Sequence, residues 1–328
     1  MTQSEDRVAR LCRLLGIVHP IIQGGMTAVG TAPLAAAVSA GGGLGLVSAG
    51  RMRAPDFGAE IDLALAATDR PVGVNIPVGR DAEQMRGYLD EALRRRIALV
   101  VLGGGNPAPW AETVMARGCR LAIVTATPAQ AHKAQVLGAN AVVVAGHEAG
   151  GKAGADEIGG MVLVPAIVDA VSIPVIATGG IVDGRGAAAA ICLGASAVQL
   201  GTRFMLSEES PLHPATKQAM LAACISDTMI IARRFGMARR MLGTPAARRV
   251  VECETDADLD TIISMLSGAH STRGLIGGDL AEGLVSCGQG VGRITTIEPA
   301  GEIVRRIAGE MREVLNLARQ AVERLEMV

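Results

Sequence analysis

Eight short apolar runs, each followed by a helical pattern, constrain the fold of this chain more than any other feature. The runs are rich in valine, isoleucine and leucine, and they are continuous rather than alternating. Continuous apolar runs are typical of parallel strands that are buried on both faces. Because the alternation is regular and the spacing nearly equal, the pattern favours a closed (β/α)₈ TIM barrel over an open doubly wound sheet. The runs occupy residues 20–24, 43–48, 71–76, 99–103, 121–125, 141–146, 174–180 and 197–202.

The rhythm changes after the eighth run. Residues 206–298 carry further helical patterns, and a long amphipathic helix then starts near Pro299. We therefore predict an α/β chain in which residues 1–205 and 299–328 form the barrel, the final helix being its last. Residues 206–298 form a smaller helical insertion domain beside the active face. The predicted apolar face of the final helix consists of Ile303, Ile307, Met311, Val314, Leu317, Val322 and Leu325.

Charge and composition exclude several classes of function. The net charge is -1 and aromatic residues make up 2% of the chain, so neither a basic nucleic-acid surface nor a base-stacking platform is expected. Residues 14–50 lack charged side chains, but their glycines would break a lipid-exposed helix, and we predict strand, buried helix and strand with no membrane association. The N-terminus has no apolar signal segment and the six cysteines form no Cys-x-x-Cys pair. We therefore expect a cytoplasmic protein with reduced thiols and no metal site.

Glycine and small polar residues collect where the predicted strands end. In a TIM barrel these ends form the active face, and the loops after strands 7 and 8 often bind phosphate. Gly179 and Gly180 follow the seventh strand, and Gly201 and Thr202 follow the eighth. We predict that the backbone N–H groups of these residues bind a phosphate group together and so form a phosphate cradle. The turn at Gly151 adds further N–H donors to it.

Other strand ends suit a flat heterocycle. Residues 23–26 would present backbone and a side-chain amide, and Asn75 offers both a donor and an acceptor. A phosphate at one end and a heterocycle over the barrel mouth together indicate FMN. A sugar phosphate bound by a non-redox isomerase or lyase is the alternative, and it predicts a colourless protein. The basic stretch from Arg233 to Arg249 is interpreted as a solvated face rather than an anion site, since no phosphate-loop pattern accompanies it.

Six segments together resemble the nitronate monooxygenase (2-nitropropane dioxygenase) family and the related flavin-type enoyl-acyl-carrier-protein reductases. The resemblance covers about residues 15–235, and it implies a TIM barrel with non-covalent FMN and an insertion after strand 8. The segments are residues 19–26, 71–75, 146–151, 174–186, 193–204 and 210–214. The residues that we expect to contact the cofactor are Gln23, Gly24, Gly25, Met26, Asn75, Thr125, Glu148, Gly151, Thr178, Gly179, Gly180, Gln199, Gly201 and Thr202.

One departure from the family concerns catalysis. The resemblance implies a catalytic histidine after the glycine pair at 150–151, but Lys152 stands there. His147, five residues earlier, is the alternative if its loop turns inward. Lys152 could transfer a proton if burial or a neighbouring cation lowered its pKa, or it could hold an anion as a cation. The catalytic candidates are therefore Lys152 and His147.

Two reactions follow from the resemblance. We predict oxidation of a carbanion-like substrate such as an alkyl nitronate at the flavin. The alternative is reduction of an enoyl thioester or quinone with NAD(P)H, which would stack on the flavin because no dinucleotide-binding fingerprint is present. A flavin-binding protein without catalysis is a third hypothesis. The expected partners are a small-molecule or acyl-thioester substrate and a second copy in a homodimer.

Overall fold

The eight apolar runs form eight parallel strands, which confirms the predicted barrel. A computed structural model describes residues 2–50, 52–79 and 81–325. The predicted barrel segments also include positions 1, 51, 80 and 326–328, which lie outside the described residues. The barrel strands are β1 (Ile21–Gln23), β2 (Gly45–Ser48), β3 (Val72–Pro77), β4 (Val100–Gly103), β5 (Leu121–Thr125), β6 (Ala141–Ala145), β8 (Val175–Thr178) and β9 (Ala197–Leu200); β7 (Gly151–Lys152) lies in the loop after β6.

The strands run in the order β1-β9-β8-β6-β5-β4-β3-β2, and β1 then meets β2 to close the barrel. This last seam is thin: a single parallel bridge joins Ile22 to Leu44. The side chain of Gln23 completes it. Its Nε2 donates to the Leu46 carbonyl (3.0 Å), and its Oε1 accepts from the Leu46 N–H (3.3 Å).

Helices cover the outside of the barrel, and α1 lies at the opposite end from the strand-end loops. Leu11 and Leu15 of α1 are buried in a cluster with the inward side chains of the strands. The helices are α1 (Thr2–Leu15), α2 (Ala32–Ala40), α3 (Ala54–Ala66), α4 (Ala82–Leu93), α5 (Ala108–Ala116), α6 (Pro128–Val136), α7 (Gly160–Ala170), α8 (Gly184–Cys192), α9 (Thr202–Met205), α10 (Pro214–Leu221), α11 (Pro245–Cys253), α12 (Leu259–Met265), α13 (Gly268–Leu275) and α14 (Ala300–Leu325). Among the described residues, no helix is both long and apolar enough to cross a bilayer.

Helix α14 takes the place of the last barrel helix, as predicted, and packs between α8 and α2. Its first half is buried through Ile303, Ile307 and Met311. The predicted apolar face is wrong for the second half. Leu317, Val322 and Leu325 are 57%, 56% and 75% exposed. They are exposed because the helix extends past the barrel on which its first half packs.

Residues 206–298 are not wholly helical, which corrects the prediction for this segment. Strands β10 (Thr228–Ile231) and β11 (Arg239–Leu242) pair with each other, and β11 also pairs with β7 of the barrel loop. The three form a small antiparallel sheet that joins the insertion to the barrel. The insertion also shares the main hydrophobic core with the barrel, to which it contributes Leu212, Leu242 and Val285.

Candidate active site

A cavity of about 390 Å³ opens at the carboxyl ends of the barrel strands, where a TIM barrel carries its active site. Its floor and walls come from the ends of β1, β3, β4, β8 and β9 and from the loop that carries β7. The insertion supplies the remaining wall through β11, α13 and residues 286–288. The site is therefore assembled from both parts of the chain.

Adjacent glycines after β8 form one side of the cavity. Gly179 and Gly180 have φ angles of +108° and +71°, a backbone conformation that favours glycine. A Cβ at Gly179 would lie 3.1 Å from the Gly146 carbonyl oxygen, so a side chain there would crowd the neighbouring loop. Gly201 and Thr202 lie beside them at the start of α9, and Thr202 Oγ1 accepts from the Gly288 N–H (2.9 Å). This arrangement agrees with the predicted phosphate cradle.

Two amide side chains line the barrel mouth. Asn75 is buried on β3, where its Nδ2 donates to the Val101 carbonyl (3.3 Å) and its Oδ1 accepts from Ser48 Oγ (3.3 Å). Gln199 is buried on β9, and its Oε1 has no hydrogen-bond partner among the described residues. A buried acceptor without a partner is costly, so the Gln199 oxygen is suited to a ligand donor.

Most of the residues predicted to contact the cofactor do line this cavity, but Gln23 does not. Its side chain is fully buried, and its amide braces the β1–β2 seam instead of facing a ligand. The predicted residues that line the cavity are Gly24, Gly25, Met26, Asn75, Gly151, Thr178, Gly179, Gly180, Gln199, Gly201 and Thr202, together with Lys152.

Thr125 and Glu148 also lie outside the lining. Thr125 is buried at the end of β5, where its hydroxyl approaches the Val143 carbonyl (3.5 Å), and its neighbour Val124 faces the cavity instead. Both carboxylate oxygens of Glu148 accept from the Gly160 N–H (3.0 Å) at the start of α7. A carboxylate at a helix N-terminus satisfies orphan N–H groups, so Glu148 has a structural task here.

His147 is not among the cavity residues either, which weighs against its predicted catalytic role. Its backbone N–H donates to the Ile158 carbonyl (2.8 Å), and its carbonyl accepts from Arg240 Nε (3.0 Å). These two bonds hold the backbone of the loop at His147 in place. The ring nitrogen Nδ1 is buried without a partner among the described residues.

Lys152 is the catalytic candidate that the fold brings to the cavity. It lies on β7, directly opposite Arg239 of β11. Its ammonium lies above the end of β4, since a Cβ at Gly104 would be 2.8 Å from Lys152 Nζ. The Lys152 side chain is still exposed to solvent, but partial desolvation beside the cavity and the nearby Arg239 charge both lower its pKa. These are the two conditions under which the lysine was expected to transfer protons.

The basic stretch is not simply a solvated face, contrary to the prediction. Arg239 lines the cavity, whereas Arg240 is buried and donates to the His147 carbonyl and to Thr228 Oγ1 (both 3.0 Å). Arg233 is exposed and pairs with Glu157. Adjacent residues of a strand face opposite sides, and this periodicity could have shown that Arg239 and Arg240 differ.

Sequence reasoning missed every contribution of the insertion to the cavity. The helical patterns around α13 gave no sign that the second half of this helix lines the site. Cys287 borders the cavity as a neutral thiol, since burial raises its pKa to about 12. The insertion residues that line the cavity are Arg239, Ser271, Thr272, Leu275, Ser286, Cys287, Gly288 and Gly290.

Comparison with known proteins agrees with this geometry. FabK from Thermotoga maritima has the same fold with a TM-score of 0.90 and 38% sequence identity, over 95% of this chain and 98% of that one. A nitroalkane oxidase from Streptomyces ansochromogenes gives a TM-score of 0.81 with 27% identity, over 94% and 99% of the two chains. The (3aS,4S,5R,7aS)-5-hydroxy-7a-methyl-1-oxo-octahydro-1H-indene-4-carboxyl-CoA dehydrogenase of Mycobacterium tuberculosis is 34% identical over 243 residues, which is 73% of this chain and 67% of that relative.

The family profile described as nitronate monooxygenase matches residues 9–97 and 82–310 of this chain. These ranges include every barrel strand and the whole insertion, residues 206–298. The match therefore covers the parts of the chain that build the cavity. The chain belongs to the nitronate monooxygenase family of oxidoreductases.

Proposed function

We propose that this protein is an FMN-dependent oxidoreductase that acts on an acyl thioester, with NAD(P)H as the electron donor. One observation carries the proposal. A single cavity combines a glycine cradle and a buried, unpartnered amide oxygen beside β8 and β9 with the lysine ammonium beside β4. The strand order places β4 far around the barrel from β9, so the two features face each other across the mouth.

The residues present suit FMN. The backbone at Gly179, Gly180 and Thr202 would hold the phosphate, and Asn75 and Gln199 would hold polar edges of the ring system. FMN, when bound, supplies a ring that accepts and donates hydride. The protein's own contribution is to bind and orient this ring and to exclude water from its face.

Lys152 supplies the chemistry on the substrate side. As an ammonium it can donate a hydrogen bond to a thioester carbonyl and so stabilise the negative charge that develops on that oxygen during reduction of the conjugated double bond. As an amine it can accept a proton. The carboxyl-CoA dehydrogenase, at 34% identity, has a CoA ester in its name and supports a thioester over a nitronate.

A nitronate is the second candidate, because its anionic oxygens would also suit the Lys152 ammonium. The family profile and the Streptomyces nitroalkane oxidase support this alternative. The two candidates differ in the need for a nicotinamide, since a nitronate itself delivers electrons to the flavin.

The first experiment is an anaerobic absorbance titration of the purified protein reconstituted with FMN. We expect flavin bands that bleach on addition of NADH or NADPH and return on addition of an enoyl-CoA such as crotonyl-CoA. Bleaching by propane-2-nitronate without nicotinamide would instead establish the second candidate. A protein that binds no FMN would overturn both.

A matched pair of lysine variants tests the site. Lys152→Met should retain FMN but reoxidise with enoyl-CoA at least about 100-fold more slowly, in line with loss of acid–base catalysis. Lys133→Met, at an exposed position on α6, should behave as the wild type. Equal rates for the two variants would remove Lys152 from the reaction.

A further inference from the structure

Lys152 and Arg239 occupy an unusual position for two like charges. The register of the β7–β11 ladder sets them directly opposite each other, so their side chains lie on the same face of the small sheet. Both line the cavity. Like charges at opposed positions destabilise an antiparallel pair, so this arrangement calls for a functional reason.

The described carboxylates of the neighbouring loops are engaged elsewhere and do not pair with Lys152. No carboxylate of the described residues forms an ion pair with Lys152. Glu157 pairs with Arg233, and Glu148 accepts from the N-terminus of α7. Beneath the ammonium lies Gly104 of the loop after β4, which has no side chain.

The other titratable groups on neighbouring elements do not change this balance. Arg240 is next to Arg239 but faces away, toward the His147 carbonyl and Thr228. The Cys287 thiol is neutral, because burial raises its pKa to about 12. Arg239 is therefore the charged group whose effect on Lys152 stands out: it lowers the pKa of that lysine, in the same direction as burial.

The two cations respond differently to being placed together. A guanidinium remains protonated at any pH that a folded protein meets, whereas a lysine ammonium loses its proton readily when buried or beside another cation. The repulsion between the two charges is therefore relieved when Lys152, and not Arg239, loses its proton. A lysine whose pKa is lowered gives up its proton more readily, which suits general acid–base catalysis.

We propose that Arg239 is a positioning residue that acts through Lys152, and that its fixed charge enables Lys152 to carry the proton that the family's histidine would carry. The proposal rests on the proposed function for the substrate. In the reduction, hydride derived from NAD(P)H reaches the β-carbon of the enoyl thioester. Lys152 then gives its proton to the α-carbon: one N–H bond breaks, one C–H bond forms, and the amine regains a proton from water.

The test measures Lys152 in the resting protein, without turnover. Competitive labelling with acetic anhydride over a range of pH, read out by mass spectrometry of the Lys152 peptide, reports the fraction of free amine. In Arg239→Gln we expect labelling of Lys152 at neutral pH to fall about three- to tenfold, since one pKa unit is a factor of ten in free amine. In Arg239→Lys, which keeps a cation, labelling should stay within about twofold of the wild type.

Two controls complete the design. Lys133, exposed on α6, should label equally in all three proteins, and circular dichroism should show that each is folded. Unchanged labelling of Lys152 in Arg239→Gln would overturn the proposal, whatever the activity. If the protein turns over an enoyl-CoA, the pH profile of kcat/KM gives a second readout. Its basic limb marks the pH at which Lys152 loses the proton that it donates. This limb should move to higher pH in Arg239→Gln but not in Arg239→Lys. The labelling result stands apart from the proposed function, which fails separately if no thioester is reduced.

Discussion

Gln23 and Gln199 lie on neighbouring strands, β1 and β9, yet their amides have different tasks. The Gln23 side-chain amide forms hydrogen bonds with both the backbone N–H and the carbonyl of Leu46 across the β1–β2 seam that closes the barrel. Gln199 keeps at the cavity an acceptor that has no partner among the described residues. Both were predicted as cofactor contacts through the family resemblance, and Gln23 also through its place at the end of the first apolar run. The direction in which each amide faces depends on strands that are distant in sequence, and a single chain sequence does not encode it locally.

This difference predicts opposite effects of the same substitution. Gln23→Met leaves the Leu46 N–H and carbonyl unpaired inside the barrel, so the free energy of unfolding should fall by about 2 kcal/mol. Gln199→Met removes an acceptor that has no partner, so the apoprotein should keep its stability within about 0.5 kcal/mol. The same variant should bind FMN about tenfold more weakly, the cost of one lost hydrogen bond.

Urea unfolding of the apoproteins and fluorescence titration with FMN measure both quantities. The two variants control for each other, since each exchanges the same amide for the same thioether on adjacent strands. Equal destabilisation of the two apoproteins would contradict the assigned roles. So would a Gln199→Met protein with unchanged affinity for FMN.

At the scale of elements, the eight barrel strands were predictable and the three strands of the small sheet were not. Each barrel strand is a buried run of apolar residues, a signal contained within five to seven positions of sequence. Strand β7 has two residues, Gly151–Lys152, and exists because β11 pairs with it from the insertion. Such long-range pairing of short, polar strands has no local pattern to reveal it.

The ladder between β7 and β11 depends on Arg240. Its buried guanidinium joins the loop of β6 to the insertion through the His147 carbonyl and Thr228 Oγ1. Arg240→Met should therefore loosen the ladder, and the Ala153 N–H, which donates to the Ala238 carbonyl (3.0 Å), should exchange with deuterium at least about tenfold faster. Turnover should fall with it, because Lys152 loses its fixed place.

Hydrogen exchange with mass spectrometry checks this expectation peptide by peptide. Arg305→Met serves as the control, because Arg305 forms only an exposed pair with Glu302 in α14. Exchange at peptides of the barrel core should be the same in both variants. Unaltered protection of Ala153 in Arg240→Met would show that β7 is held in place by other contacts.

At the scale of the whole molecule, the insertion does not pack separately from the barrel. Its residues Leu212, Leu242 and Val285 belong to the same hydrophobic core as the barrel's Val198 and Ile303. The chain enters and leaves the insertion at one point, near Glu208 and Glu298. There the Glu298 carboxylate accepts a hydrogen bond from Arg306 Nε (2.9 Å), and the Glu298 carbonyl accepts one from the Glu208 N–H (3.1 Å). The change of pattern in the sequence predicted a boundary here. It did not show that both parts would share one core and one cavity.

A shared core and a shared cavity predict one cooperative unfolding transition. Trp110, the single tryptophan, reports on α5 of the barrel, and a fluorophore on the exposed Cys224 reports on the insertion when Cys192 is replaced by serine. Both probes should give the same midpoint in urea. FMN at about 100 times its Kd should raise the unfolding free energy seen by both by about 2.7 kcal/mol, because the ligand binds only the folded protein. An insertion that unfolds first, at a midpoint that FMN does not move, would show that the cofactor site belongs to the barrel alone.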